Sequence, residues 1–256
     1  RNAVYSSGSG TTILSFTYTV QAGDATTDLN YMNTSSLALN GGTLTDDVGN
    51  NAVLTLPVPL DANSLGSQKD IVIDTEAATV TKVTSITANG TYKTGDSVTL
   101  LVIFSEDVTV NTAGGTPYLT LETGDTDQQV SYSSGSGGDT LIFQYTVQEG
   151  DAAEDLAYSA TTAFSANGGT IIDAANNNAV LTLPSPGAAG SLSANKELVI
   201  DGNSPTISDV TASTADGTYK TGSTISIVVE FSETVELSGG TPTLMLETGT
   251  TDREAT

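Results

Sequence analysis

Apolar and polar residues alternate along several short stretches of the chain. One stretch carries an apolar side chain at every second position from 14 to 20, and another does so from 141 to 147. Successive side chains of a β-strand point to opposite faces of its sheet, so this period of two predicts strands with one buried face. The alternating residues are Leu14, Phe16, Tyr18 and Val20, and Leu141, Phe143, Tyr145 and Val147.

These stretches belong to a longer internal repeat. Residues 5–31 and 132–158 are displaced by 127 positions, and 18 of the 27 residue pairs are identical. Self-similarity of this length predicts a structural unit copied in tandem. Other alternations recur at nearly the same spacing, namely Val98, Leu100, Val102 and Phe104 with Ile225, Ile227, Val229 and Phe231, and Leu119 and Leu121 with Leu244 and Leu246, where the spacing falls to 125.

Brief apolar segments at 53–56, 71–73, 180–183 and 198–200 complete a series of short predicted strands separated by Gly, Asn, Asp and Pro. No segment has a helical period. About seven short strands per unit predict an all-β chain of tandem Ig-like antiparallel β-sandwiches with a period of about 127 residues, and a β-barrel is the alternative. The motif Asp-Leu-x-Tyr ending at Tyr158 lies where a tyrosine corner is expected; the alternative is a buried tyrosine on the next strand.

The repeat divides the chain into three segments. Residues 77–203 form one complete predicted unit, residues 1–76 carry the later strands of a unit, and residues 204–256 carry the early strands. Neither half can bury its apolar face alone, and each would expose sheet edges. One interpretation is a window cut from a longer array. The other is a head-to-tail filament, in which residues 204–256 of one chain complete residues 1–76 of the next.

Composition and charge limit the partners and the kinds of site that the chain can have. Thirty acidic and seven basic side chains give a formal charge of -23, which excludes nucleic acid and anionic membranes as partners and favours cations. The absence of Cys and His excludes disulfides, zinc sites built on those residues and imidazole triads. No apolar run approaches the length of a membrane helix, which is about 20 residues. We expect any export or anchoring signal to lie outside this sequence.

Acidic residues are predicted to collect at the ends of the units. Strands that run alternately up and down place successive loops at opposite ends of a sandwich, so loops of two adjacent units meet at their junction. Several carboxylates with backbone carbonyls form a hard-oxygen site that suits Ca²⁺. The alternative is that these aspartates cap turns. The predicted ligands are Asp24, Asp28, Asp74, Glu106 and Asp173 at the first junction, and Asp151, Asp155, Asp201 and Glu233 at the second.

Catalysis is not expected. Paired carboxylates are plentiful, but aromatic residues that would line a sugar cleft are few and Trp is absent. The same acids recur at loop positions of each unit, which favours a repeated structural role over a single catalytic cleft.

The segments ADGTYKTG, FSETV, GGTPTLMLETG, YSSGSGGDTLIFQYTVQEGD and LVIDGNSPT resemble the tandem bacterial Ig-like repeats of giant cell-surface adhesins. The resemblance spans the whole chain. It implies an extracellular spacer whose junctions are made rigid by calcium, with Asp74 and Asp201 of the linkers and Glu106 and Glu233 of the FSE segments as ligands. Asn89 replaces Asp216 and Ser223 replaces Asp96 between copies, so those positions are not assigned as ligands.

The sequence therefore predicts a non-enzymatic, extracellular, calcium-stiffened rod that serves as an adhesin stalk or a filament subunit. Its expected partners are neighbouring repeats or copies of itself, with any cell-surface glycan or protein bound through parts outside this sequence. A carbohydrate-binding or other ligand-binding module that uses the loops is the alternative. Linkers of a few residues cannot hold a rod straight unless the hinge is restrained, which a shared cation would do.

Overall fold

A computed structural model describes residues 1–255. The structure is all-β, with 35% of residues in strands and 3% in helices. Its residues form two compact units, Arg1–Asp201 and a smaller one that begins at Gly202. The prediction of an all-β chain with antiparallel sheets is confirmed.

Residues 1–76 contain little regular structure. Its elements are a two-stranded antiparallel sheet and a one-turn helix. An isolated bridge between Thr26 and Ile73 joins two distant parts of the segment. The elements are β1 (Val4–Ser7), β2 (Ser15–Thr17) and α1 (Leu65–Gln68).

Residues 77–201 contain most of the strands. The elements are β3 (Val80–Ser85), β4 (Gly90–Lys93), β5 (Ser97–Asn111), β6 (Tyr118–Glu122), β7 (Gln128–Ser134), β8 (Gly138–Thr146), β9 (Ala152–Ala153), β10 (Ala157–Tyr158), β11 (Phe164–Ser165), β12 (Thr170–Ile172), α2 (Leu192–Asn195) and β13 (Leu198–Asp201). Eight of these strands form one sheet in the order β10-β6-β7-β8-β5-β12, in which β11 also pairs with β6 and β3 with β5. This sheet curls into a half-barrel.

A second sheet of three strands has the order β4-β13-β9. Here β13 is antiparallel to β9 but parallel to β4. A parallel pair needs a long connection between its strands, and most of the 77–201 segment separates β4 from β13. This pair and the isolated parallel bridge between Thr79 and Val180 depart from the antiparallel pattern that the sequence predicts.

The unit that begins at Gly202 contains two separate two-stranded antiparallel sheets. The first joins β14 (Ile207–Ala212) to β15 (Ile227–Phe231), and the second joins β16 (Leu244–Leu246) to β17 (Arg253–Ala255).

The core lies inside the 77–201 segment, where the alternating positions face inward as predicted. Leu141 and Phe143 of β8 are fully buried, and they lie opposite Val102 and Leu100 of β5 in the antiparallel ladder. Phe143 packs edge-on against Phe164, with ring centroids 5.6 Å apart. Burial of large apolar side chains is the main stabilising contribution to such a fold.

Three details of the sequence prediction are wrong. The apolar segments 53–56, 71–73 and 180–183 form no strand, and the last two contribute only isolated bridges, at Ile73 and at Val180. Two helices occur where none was expected, because a single turn of four residues is too short to show a helical period. Tyr158 is a buried tyrosine of β10 whose hydroxyl donates to the carbonyl of Pro184, 26 residues downstream, which is not a tyrosine corner.

The contrast between Phe143 and Phe16 gives a test of this core. Phe143 is fully buried, whereas Phe16, the residue 127 positions earlier, is 43% exposed. We expect Phe143→Ala to lower the free energy of unfolding by about 3–5 kcal/mol, and Phe16→Ala to lower it by less than about 1 kcal/mol. Urea denaturation of the full chain, followed by circular dichroism, measures both. Equal losses for the two variants would contradict the assignment of the core.

Candidate cation site

Three acidic side chains from distant parts of the chain converge on one point. Asp74, Glu106 and Asp173 each place a carboxylate oxygen within 4.8 Å of the other two. Asp173 is buried, and Asp74 and Glu106 are half-buried. Among residues 1–255 this is the one group of three or more acidic residues close enough to hold a metal ion.

The backbone explains why these residues meet. Asp74 directly follows Ile73, which the bridge to Thr26 fixes in place. The ladder between β5 and β8 breaks between Ile103 and Val108, and Glu106 lies in that irregular stretch. A bulge of this kind redirects side chains out of the regular alternation. Asp173 follows the last residue of β12, which pairs with the far end of β5.

Asp173 is held by a tight turn. Its Oδ1 accepts hydrogen bonds from the backbone N–H groups of Ala175 at 2.9 Å and Asn177 at 2.8 Å. Its Oδ2 accepts from the side-chain amide of Asn177 at 2.8 Å. Asn176, at the tip of the turn, has a φ of 68°, a left-handed conformation that asparagine tolerates better than most residues.

Asn177 links this turn to the segment that carries Asp74. Its Nδ2 also lies 3.3 Å from the carbonyl oxygen of Asp74 and 3.1 Å from that of Glu76. The Asp74 carboxylate in turn accepts from the backbone N–H of Glu76 at 3.0 Å. The positions of two of the three acids are therefore coupled through one amide side chain.

The electrostatics of the cluster are unfavourable without a cation. Burial raises the pKa of the Glu106 carboxyl, and the negative charges of Asp74, Asp173, Asp107 and Glu76 raise it further. The salt bridges from Arg1 to Asp24 and from Lys93 to Asp96 lie elsewhere. Carboxylate oxygens are hard ligands, so this donor set fits Ca²⁺ and Mg²⁺ alike.

Asp24 and Asp151 occupy equivalent turns that do not contribute to the cluster. Asp151 is buried and accepts hydrogen bonds from the Tyr145 hydroxyl at 2.6 Å, from the Gln148 backbone N–H at 2.8 Å and from the Gln128 side chain at 2.8 Å. Burial raises the pKa of the Tyr145 hydroxyl, and the bond to this carboxylate raises it further. Neutral donors thus satisfy Asp151, as expected for a turn cap.

Asp24 has a similar environment. Its carboxylate accepts hydrogen bonds from the Tyr18 hydroxyl, the Gln21 backbone N–H and the Arg1 side chain. The backbone bond from Gln21 lowers the pKa of Asp24, and the bond from Arg1 lowers it further. A metal role for Asp24 and Asp151 stays a prediction.

The remaining predicted ligands lie outside this cluster. Asp28 is half-buried with its Oδ1 unpartnered, whereas its copy Asp155 is exposed and accepts a hydrogen bond from the Leu198 N–H at 3.4 Å. Asp201 is exposed at the end of β13, and Glu233 is exposed in the unit that begins at Gly202. A second site built from Asp151, Asp155, Asp201 and Glu233 stays a prediction.

Sequence reasoning missed Asn177, the residue that ties the cluster together. A signal for it is present, because Asp46 and Asn50 reproduce the spacing of Asp173 and Asn177 exactly one period earlier. Asn50 donates to Asp46 through its backbone and its side chain, both at 2.8 Å. A repeated acid with an amide four residues later therefore marks this turn.

Comparison with known proteins assigns no family to the chain. No family model, no curated protein and no solved structure matches it. Neither α1 nor α2, nor any other helix within residues 1–255, is long and apolar enough to cross a membrane. Function is therefore inferred from the chemistry of the site.

Glu106→Gln tests the repulsion within the cluster. Since the folded-state pKa of Glu106 is raised, ionisation of Glu106 destabilises the fold as the pH rises through that pKa, and the penalty is absent below the unfolded pKa. In chelator at pH 7 we expect the variant to be more stable than the parent by no more than about 0.5 kcal/mol, because solvent screens a partly exposed group. The gain should vanish near pH 4, as measured by thermal melts across pH.

The control for this measurement is Glu154→Gln, which removes the same charge from an exposed position of the same segment. A gain of equal size in the control would mean that overall charge, and not the cluster, causes the effect.

Proposed function

We propose that the chain is a non-enzymatic structural segment of an extracellular surface protein, built as a tandem array of Ig-like β-sandwiches with a period of about 127 residues. Calcium at the junctions between repeats stiffens the array into the stalk of an adhesin. The observation that carries the proposal is the acidic cluster, because Asp74 lies in the 1–76 segment and its two partners lie in the 77–203 segment.

Equivalent contacts in the two segments support the tandem array. Tyr5 and Phe16 meet edge-on with centroids 6.0 Å apart and an interplanar angle of 73°, and Tyr132 and Phe143 do so at 6.1 Å and 73°. The Tyr31 hydroxyl donates to the carbonyl of Pro57, as that of Tyr158 does to Pro184. Helices α1 and α2 are also 127 residues apart. Hydrogen bonds copied together with the sequence indicate a copied structural unit.

The place of the cluster supports a stiffening role. Asp74 and Glu76 belong to the connection between the two segments, and Asn177 of the second segment donates to both of their carbonyls. A cation held by Asp74, Glu106 and Asp173 would restrain this connection from both sides. It would also neutralise the repulsion that raises the pKa of Glu106. Ca²⁺ is favoured over Mg²⁺ because it accepts irregular sets of oxygen ligands from flexible connections.

Calcium-dependent melting tests the proposal. We expect 2 mM Ca²⁺ to raise the melting temperature of the full chain relative to chelator, since a ligand that binds only the folded state stabilises it by mass action, by about 2.7 kcal/mol at 100 times its Kd. Glu106→Gln and Asp74→Asn should each lose most of this increase. Differential scanning calorimetry measures it, with Mg²⁺ as a parallel titration.

Asp125→Asn is the matched control, because Asp125 is exposed and lies outside the cluster. Its calcium response should equal that of the parent chain. An identical melting temperature in calcium and in chelator would refute the calcium role.

A further inference from the structure

We propose that the pairing of β4 with β13 is the contact that resists tension in the central repeat, residues 77–201, when that repeat is pulled from its two ends. The parallel sense of the pair gives it this role. A segment of a surface stalk is under tension, so the inference rests on the proposed function. It does not rest on calcium.

Both parallel contacts of the central repeat join an early part of the repeat to a late part. Strands β4 and β13 pair over residues 90–93 and 198–201. The isolated bridge between Thr79 and Val180 is also parallel, and the Val180 N–H donates to the carbonyl of Ala78 at 2.8 Å. The other strand pairs described within residues 77–201 are antiparallel.

The parallel sense decides how tension acts on such a pair. Tension along the chain pulls the early strand from its N-terminal end and the late strand from its C-terminal end. In a parallel pair these are opposite ends, so the strands separate only by sliding along each other, and their evenly spaced hydrogen bonds are strained together. In an antiparallel pair they are the same end, and the bonds break one after another.

Further hydrogen bonds join the two parts of the chain. The Gly90 N–H donates to the carbonyl of Glu197 at 3.1 Å, at the beginning of the ladder. Outside the ladder, the Val83 N–H donates to the carbonyl of Gly190 at 2.8 Å, and the side-chain amide of Asn195 donates to the carbonyl of Val83 at 3.0 Å. Strand β3 is therefore bonded to the chain around α2, close to the start of β13.

Burial opposes sliding of β13. Leu198 and Ile200 are 0% and 2% exposed, and both belong to the core. On the other edge of β13, Ile200 pairs with Ala153 of β9. Tyr92 of β4 is partly buried and packs against the same core. A shift of β13 by one residue would turn its buried side chains to the opposite face of the sheet, so the register is strongly fixed.

Pulling in two directions tests the proposal. The chain has no cysteine, so pairs of introduced cysteines define the attachment points for single-molecule force spectroscopy of the full chain. The first pair, Glu76→Cys with Pro205→Cys, pulls the repeat from its two ends. The second pair, Ala88→Cys with Glu197→Cys, lies just before β4 and just before β13, at the same end of the parallel pair. All four positions are exposed.

We expect the rupture that separates β4 from β13, identified by the length of chain that it releases, to need a higher force with the first pair than with the second at the same loading rate. Only the first pair strains the bonds of the ladder together. Equal forces, or a lower force with the first pair, would overturn the proposal.

Proline substitutions at one position of the ladder provide a matched comparison. Val199 and Thr91 are partners in the ladder. Successive N–H groups of a strand point to opposite edges. The Leu198 N–H donates to the carboxylate of Asp155, away from β4, so that of Val199 points to β4. The Gly90 N–H points to β13, so that of Thr91 points away from it.

Val199→Pro therefore removes a hydrogen bond of the ladder, whereas Thr91→Pro removes none. At constant force applied through the first cysteine pair, we expect Val199→Pro to unfold about fivefold to tenfold faster than the parent, because forced unfolding follows the unfolding rate and one hydrogen bond has an effect of this size. Thr91→Pro should unfold at nearly the parent rate. Equal acceleration in both variants would count against the proposal.

Circular dichroism establishes whether the two proline variants are folded. If Val199→Pro does not fold, the comparison of pulling directions decides, because it leaves every residue of the ladder unchanged.

The force measurements are made in calcium and in chelator. The attachment at position 76 follows Asp74, so Asp74 lies outside the segment under tension. A force that depends on direction in chelator, together with a melt unaffected by calcium, would support the role of the β4–β13 pair and refute the calcium role. A force independent of direction, together with a calcium-dependent melt, would do the reverse.

Discussion

The pairing of β5 with β8 is the constraint on which the central repeat depends. It joins the early strands of the repeat to the late ones, and it sets Val98 and Leu100 opposite Tyr145 and Phe143 inside the core. The same ladder places the irregular stretch that carries Glu106. Beyond its other end, the chain turns at Asp151, which holds Tyr145 and the backbone of Gln148. The ladder that aligns the core residues therefore also positions Glu106 of the candidate site.

The alternation of apolar residues predicted the two strands of this ladder, though not their pairing, because period two is a direct consequence of strand geometry. Burial did not follow from the pattern alone: Phe16 and Phe143 occupy copied positions, yet only Phe143 has a covering strand. In segment 180–183 the apolar pattern predicted a strand, and no strand forms. Leu183 is buried, but its N–H donates to the carbonyl of Thr161 in a loop, so it fills the core without joining a ladder. Apolar content predicts burial better than it predicts strand pairing.

The candidate site was partly predictable. The expected alternation of strand directions brought Asp74, Glu106 and Asp173 to one junction between units, with Asp24 and Asp28, and the structure places the first three together. The sequence could not separate these acids from Asp24 and Asp151, since all lie at loop positions and all belong to repeated motifs. Asp24 and Asp151 differ from the cluster in having hydrogen-bond donors that only the folded chain brings close. The hydroxyl of Tyr145, for example, contacts Asp151 in the folded turn.

The two kinds of aspartate differ in what compensates their charge. Asp151 is buried among neutral donors, and hydrogen bonds to a carboxylate offset the loss of its hydration. Asp173 is equally buried and makes the same turn bonds as the exposed Asp46, so the turn itself does not indicate a ligand. What distinguishes Asp173 is the presence of two further carboxylates at 4.8 Å or less. Turn bonds position the Asp173 charge, but they do not remove its repulsion of Glu106 and Asp74, and a cation would.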